Sequence, residues 1–412
     1  MGWRGWWWVT SSAAAARVHD RQGQDSRGRL MRRFQDDPLG PRPQIVVLGA
    51  PKLGNYVVLQ PLLRGLRLKY PGARLTYVGS QRTLELERLN PWIDASLPLA
   101  EQGPAALSAL GEWRRALAGR DQGDGVDLVI NADGHAPHTS AWTAALAPRF
   151  VVGAAPIPPG DHPLHALAID PHWASSTLVE RYDGWIASNS IRELHCRVAW
   201  VDTDFERVEL PAEPPPSGLP PVLIAVNGER PAKLWPLASW LALLGRLRRE
   251  MGLTAAAIGL IGGPPTAEPR QPGDLLERDL LAGSGIRDLR GQLSLPALVG
   301  ALARSRLCIA VDSGPLHLAA AAGCPTVALF GTDAEGIGAS PRDLWAPRAE
   351  HVWISRSGHS CSSCLQARFD NPACLLEQHA CMDALTPDAV WPLVCQAWQP
   401  RAQLPLKTTS TS

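Results

Sequence analysis

Residues 211–221 read PAEPPPSGLPP and divide two stretches that repeat one pattern. A proline-rich segment is extended and semi-rigid, so it joins folded units without belonging to either. Before it, Ile45–Leu48 reads as a strand, and Leu59, Leu62, Leu63 and Leu66 recur at helical spacing. Pro71-Gly72 is a turn, and Leu75–Val78, Asp127–Ile130 and Phe150–Val152 read as further strands. After the linker the alternation restarts. Val222–Val226 and Ala255–Ile261 read as strands, with Leu237, Trp240, Leu241, Leu244 and Leu247 forming a helix face between them. Ser294 caps a helix through Arg304, and Leu307–Val311 and Thr326–Phe330 are strands. Short apolar strands separated by helices call for parallel sheets covered on both faces. The expected fold class is therefore α/β, with two domains around a proline-rich hinge and a cleft between them. The expected boundaries are a disordered extension over 1–43, a first domain over 44–210, the linker, a second domain over 222–398 and a flexible tail over 399–412.

Composition narrows the function. A net charge of +1 gives no basic stripe for a nucleic-acid groove. No apolar run reaches the roughly 18 residues that a membrane-spanning helix needs. Trp6, Trp7, Trp8 and Val9 are followed by Ser, Ala and a polar stretch, too short an apolar core for a secretory signal. A cytoplasmic protein is expected.

The stretch 307–323 carries the clearest chemistry. An apolar strand runs into Asp312-Ser313-Gly314-Pro315, then into the helix-forming Leu316–Ala322, then into Gly323. Asp312 or Ser313 can cap the helix, Pro315 suits its first turn, and Gly323 suits a left-handed end. First-turn amides lack intrahelical partners and carry the positive end of the helix dipole, which suits a diphosphate. Gly314 lets it approach, and His317 adds a donor. A capped helix with no ligand has the same local pattern.

Neighbouring segments favour the ligand. VDSGPLHLAAAAGCPTVALFG (311–331) resembles the C-terminal signature of the heptosyltransferase-type glycosyltransferases, family 9. LGAPKLGNYVVLQPLLRGLRLKYPGARLTYV (48–78), NPWIDASLPL (90–99), NGERPAKLWPLASWLALL (227–244) and SLPALVGALARSRLCIAVDSGP (294–315) resemble other family segments in the family's order. The resemblance runs from about residue 44 to about residue 395. It implies a GT-B architecture: two Rossmann-like domains, with donor on the C-terminal one and acceptor on the N-terminal one. It also implies inverting transfer that requires no metal. The donors it implies are ADP-heptose-like nucleotide sugars. The acceptors are lipid-linked or lipopolysaccharide-core glycans, reached by peripheral contact with the inner membrane face.

By the same resemblance, Lys233 faces the donor phosphates. Asn227 and Gly228 end the strand Val222–Val226 and let the chain turn close to the ligand, and Thr332 and Asp333, after Thr326–Phe330, can reach donor hydroxyls. Lys52 and Gly54 belong to the acceptor-side loop. The family usually has Gly-Asp where this chain has Gly54-Asn55, and that Asp is the expected base. An amide takes up no proton at neutral pH, so Asn55 either only orients the acceptor or marks a protein that does not transfer. Asp133 and His135, after the strand Asp127–Ile130, are replacement candidates. Asp202-Thr203-Asp204 has the DxD form that holds divalent ions in other sugar transferases, but its place before the hinge favours a solvated turn. Cys361, Cys364, Cys374 and Cys381 suit a structural zinc or iron site, free thiols or a disulfide. A dinucleotide oxidoreductase is disfavoured, because no GxGxxG follows either domain's first strand.

Overall fold

A computed structural model describes residues 30–99, 104–118, 125–133, 137–173, 175–228, 230–269, 271–331, 342–357, 359 and 380–399. The first unit is a parallel sheet built from β1 (Arg32–Arg33), β2 (Gln44–Leu48), β3 (Arg74–Gly79), β4 (Ala95–Pro98), β5 (Leu128–Asn131) and β6 (Phe150–Val152). Its order is β1-β6-β5-β2-β3-β4. The second sheet comprises β7 (Val222–Ala225), β8 (Ile258–Leu260), β9 (Arg287–Asp288), β10 (Leu307–Val311), β11 (Thr326–Phe330) and β12 (Val352–Arg356). Its order is β12-β11-β10-β7-β8-β9, again parallel throughout. The two orders coincide position by position: β2 matches β7, β5 matches β10, and so on outward. Only the sixth place differs. In the first sheet it is filled by chain that precedes the first strand; in the second, by chain that follows the fifth. The central strands are apolar because both faces are covered; β10 and β11 are buried at every residue.

The helices that position the site are α1 (Leu53–Val58), α2 (Gln60–Lys69), α3 (Leu84–Arg88), α4 (Pro104–Ala118), α5 (Pro137–Leu146), α6 (Ile191–Val198), α7 (Leu237–Glu250), α8 (Pro272–Ser284), α9 (Leu295–Arg304), α10 (Gly314–Ala321) and α11 (Pro387–Trp398). The leucines 62, 63 and 66 fall on α2 as their spacing predicts. The helix is separate from α1 because Pro61 stands in its first turn and has no N–H to continue the ladder. Ser294 caps α9, accepting a hydrogen bond from the Ala297 N–H at 3.2 Å.

Three expectations are corrected. The chain is ordered well before Pro43: β1 pairs with β6, and Phe34 is fully buried edge-to-face against Phe150 and Trp200. Ala255–Ala257 form a 3-10 turn, so the strand expected over 255–261 shrinks to Ile258–Leu260. Alanine offers little side chain to pack on a pleated surface. Ser313, the residue that opens α10, does not cap it through its side chain. The Ser313 hydroxyl donates back to the Val311 carbonyl at 3.1 Å.

The two units share one continuous apolar cluster, which includes Tyr56, Val57 and Val58 of α1 together with Leu316, Leu318 and Ala319 of α10. These helices pack directly on one another. A Cβ on Gly54 would lie 3.0 Å from His317 Cδ2, and a Cβ on Gly314 would lie 2.9 Å from Leu53 Cβ. Glycine at both places is what lets the helix starts meet. A second bridge joins the units where Leu295 N–H donates to Glu85 Oε2 at 2.6 Å. The linker lies along α9, with Glu213 N–H donating to the Pro296 carbonyl at 3.0 Å.

Candidate functional site

In a doubly wound parallel sheet, ligands bind beyond the carboxyl ends of the strands where the winding reverses. In the first sheet that point lies between β2 and β5. In the second it lies between β7 and β10. The loops leaving these four strands carry nearly all the residues that the sequence singles out.

On the second sheet, the loop after β7 holds Asn227, Gly228 and a 3-10 turn ending at Lys233. Lys233 reaches across to β10, and its Nζ lies 2.5 Å from Asp312 Oδ2. Lys233 is 18% exposed and Asp312 5% exposed. Gly228 makes the approach possible, since a Cβ there would sit 3.0 Å from Lys233 Cβ. Ser313 is extended and Gly314 opens α10. Pro315 occupies the first turn, so its missing N–H costs nothing. The start of α10 therefore presents main-chain donors, with no cap from the Ser313 side chain, beside Lys233. Gly323 ends the corner with φ +75°, as the sequence requires.

His317 is not where the sequence places it. It is buried beneath Gly54 at the seam between α1 and α10, 4.0 Å from Asp312 Oδ1. Burial depresses its pKa to about 4, so it is neutral. It also lines a cavity of about 220 Å³ near the far end of α10, with Arg192, Ala320 and His351. Arg192 is buried there and paired with Glu206. Asn227 turns toward α8, donating from Nδ2 to Asp274 Oδ1 at 3.3 Å.

On the first sheet, Lys52 is exposed at the start of α1 and Asn55 is half-buried one turn in. The loop after β5 brings Asp133 beside this turn, because Ala132 N–H donates to the Leu48 carbonyl at 2.9 Å. Burial lifts the Asp133 carboxyl to about 6, with the Lys52 charge pulling the other way. His138, in the first turn of α5, approaches Asp133 Oδ2 at 3.7 Å. Sequence reasoning passed over His138, which announces itself only as a histidine close after Asp133.

The DxD triplet is structural. Asp202 pairs with Arg197, the Thr203 hydroxyl and the Asp204 carbonyl accept from Arg64, and the Asp204 carboxylate accepts from the N–H groups of Glu206 and Arg207. His135, Thr332, Asp333, Cys361, Cys364 and Cys374 lie outside the described residues. Cys381 is buried, with its Sγ against Gly331.

A family model described as Glycosyltransferase family 9 (heptosyltransferase) matches residues 192–370. Lipopolysaccharide heptosyltransferase 1 of Pseudomonas aeruginosa is 28% identical over 297 residues, which is 70% of this chain and 78% of the relative. A glycosyl transferase family 9 structure from Veillonella parvula superposes with a TM-score of 0.58 at 17% identity, covering 86% of this chain and 97% of that one. E. coli heptosyltransferase WaaC, solved with ADP-2-deoxy-2-fluoro heptose, superposes with a TM-score of 0.54 at 18% identity, covering 86% and 99%. These solved neighbours share the fold of two facing parallel-sheet domains, the GT-B arrangement. Family model, relative and fold agree: the chain is heptosyltransferase-like, and over residues 192–370 it is similar to glycosyltransferase family 9.

Proposed function

We propose that the protein transfers a heptose-like sugar, with inversion, from an ADP-heptose-like donor to a lipopolysaccharide-core or related lipid-linked glycan. The observation that carries this reading is the second-sheet corner. There Lys233, fixed by Asp312, stands beside the open start of α10. A departing nucleoside diphosphate accumulates negative charge, and a fixed ammonium with helix-start amides stabilises that charge more in the transition state than in the ground state. The donor diphosphate lies against Gly314 and Lys233, with Ser313 and Pro315 shaping the turn. Thr332 is assigned to the donor hydroxyls from its place in the sequence, just after β11. The acceptor lies over Lys52, Gly54 and Asn55. No helix among the described residues is long and apolar enough to cross a membrane; the lipid-linked acceptor is met by peripheral contact at the cytoplasmic face.

Asn55 favours a second reading, a nucleotide-sugar-binding protein that transfers poorly or not at all. Two measurements separate them. Calorimetry with ADP tests the donor corner. Release of ADP from ADP-heptose, with a truncated lipopolysaccharide core glycolipid as acceptor, tests transfer. Binding without release supports the second reading; no binding of either ligand sinks both. The cysteine cluster is a separate proposal, a structural zinc or iron held by Cys361, Cys364, Cys374 and Cys381. Metal analysis of protein purified without chelators decides it, and protein free of both metals would end it.

A further inference from the structure

The two sheets repeat more than their strand order. In the second, a lysine after the first strand (Lys233, after β7) meets an aspartate after the fourth (Asp312, after β10), and a histidine five positions on (His317) lies 4.0 Å from that aspartate. In the first, a lysine after the matching strand (Lys52, after β2) acts on an aspartate after the strand that matches β10 (Asp133, after β5). A histidine five positions on (His138) lies 3.7 Å from it. The same three residue types thus stand on the matching loops of both sheets, at both winding reversals.

The copies differ in one respect that matters. Asp312 is 5% exposed and held on Lys233, so it positions the lysine and offers little to a substrate. Asp133 is 19% exposed and partly open. Lys52, Tyr77 and His138 are charged or titratable groups that bear on it. Burial raises the Tyr77 phenol well above its usual range and lowers His138, so both are neutral near pH 7. Asp133 therefore faces one cation and two neutral groups. The loop that carries Lys52 leads into Gly54, which touches His317 of the donor corner. Asp133 and the donor corner flank the same short turn.

We propose that Asp133, set between Lys52 and His138, is the general base on the acceptor side and replaces the amide of Asn55 in that role. This rests on the transfer reading above. The acceptor hydroxyl gives its proton to the Asp133 carboxylate as its oxygen bonds to the anomeric carbon. The bond from that carbon to the diphosphate oxygen breaks, and its electron pair leaves with the nucleoside diphosphate, beside Lys233. A carboxylate held near 6 is ionised at neutral pH and basic enough to accept the proton. His138 is a positioning residue that orients the carboxylate.

The test uses the full chain, ADP-heptose as donor, and either the truncated core glycolipid or water as acceptor, reading ADP release. Asp133→Asn should lower the release rate by about 100-fold or more with ADP affinity unchanged. The wild-type rate should fall below about pH 6. Adding Asn55→Asp to Asp133→Asn should restore release and move the acid limb toward the ordinary carboxylate range, about 4. His138→Gln should shift the limb while leaving ADP affinity intact. If Asp133→Asn releases ADP as fast as wild type with the same acid limb, the assignment is wrong and the transfer reading stands. If the wild type binds ADP yet releases none with either acceptor, both the transfer reading and this base fail.

Discussion

Replacing Gly314 with alanine probes the seam on which both units depend. The added Cβ would meet Leu53 Cβ at 2.9 Å, Cδ2 at 3.0 Å and Cγ at 3.1 Å. Carbon atoms pack best at about 3.5–4.0 Å, so α1 and α10 must part by roughly half an ångström or more. Overpacking of this kind costs about 1–3 kcal/mol. Alanine's better helix propensity offsets up to about 1 kcal/mol, which leaves a net loss of about 1–2 kcal/mol. At about 2–4 °C per kcal/mol for a domain of this size, the melting temperature should drop by roughly 2–8 °C. Leu53→Ala removes two of the three crowding atoms. In that background the Gly314→Ala cost should shrink, giving a coupling of at least about 0.5 kcal/mol. Gly111→Ala is the control: it lies on α4, where an added Cβ meets nothing within 4 Å, and should be neutral or stabilising. Thermal unfolding of the four-member cycle and of the Gly111→Ala control reads all of this. A Gly314→Ala protein as stable as wild type, or a cost untouched by Leu53→Ala, would refute the tight seam.

Lys233→Ala should weaken ADP binding by about 10- to 100-fold, the worth of a charge-assisted phosphate contact; calorimetry showing unchanged affinity removes Lys233 from the donor site. His195 and His317 are both buried and held neutral, with pKa values depressed from 6.5 to about 4. Unfolding therefore takes up protons between those values, so stability is intact above 6.5 and falls with pH through that window. The loss at pH 5 is about 2 kcal/mol per histidine, and urea titrations at pH 7.5 and 5 that coincide would contradict it. Ser294→Ala removes the cap on α9 and should cost about 1 kcal/mol, seen as a lower urea midpoint with an unchanged slope.

The elements legible in the sequence are those with a strong local signal. β10, α10 with Pro315 in its first turn, and Gly323 stand as read, because an apolar run, a proline in the first turn and a terminal glycine each have one cheap structural solution. β1, β4, β9 and β12 have no counterpart in the sequence reading; of these, Arg32–Arg33 and Arg287–Asp288 have two residues each and no apolar run, and pairing with a neighbour makes them strands. His317 illustrates a different gap. Its place in the first turn suggested a ligand donor, but it is covered by Gly54, roughly 260 positions earlier in the chain. No local rule connects them. The paired Lys–Asp–His sets were hidden for the same reason. Each aspartate and histidine are neighbours in sequence, but each lysine lies roughly 80 residues upstream and joins them only through the sheet.

The sixth place of the first sheet has a practical meaning for anyone who shortens this chain. β1 is the last covering of β6, whose outer N–H and C=O groups would otherwise face water. Phe34 plugs the apolar floor beside it. A truncation at Pro43, which the sequence pattern alone invites, would strip both at once. The bare rim of β6 would then be a template for strands of other molecules. Such a shortened protein should self-associate in proportion to its concentration, while one that starts just before Leu30 stays dispersed.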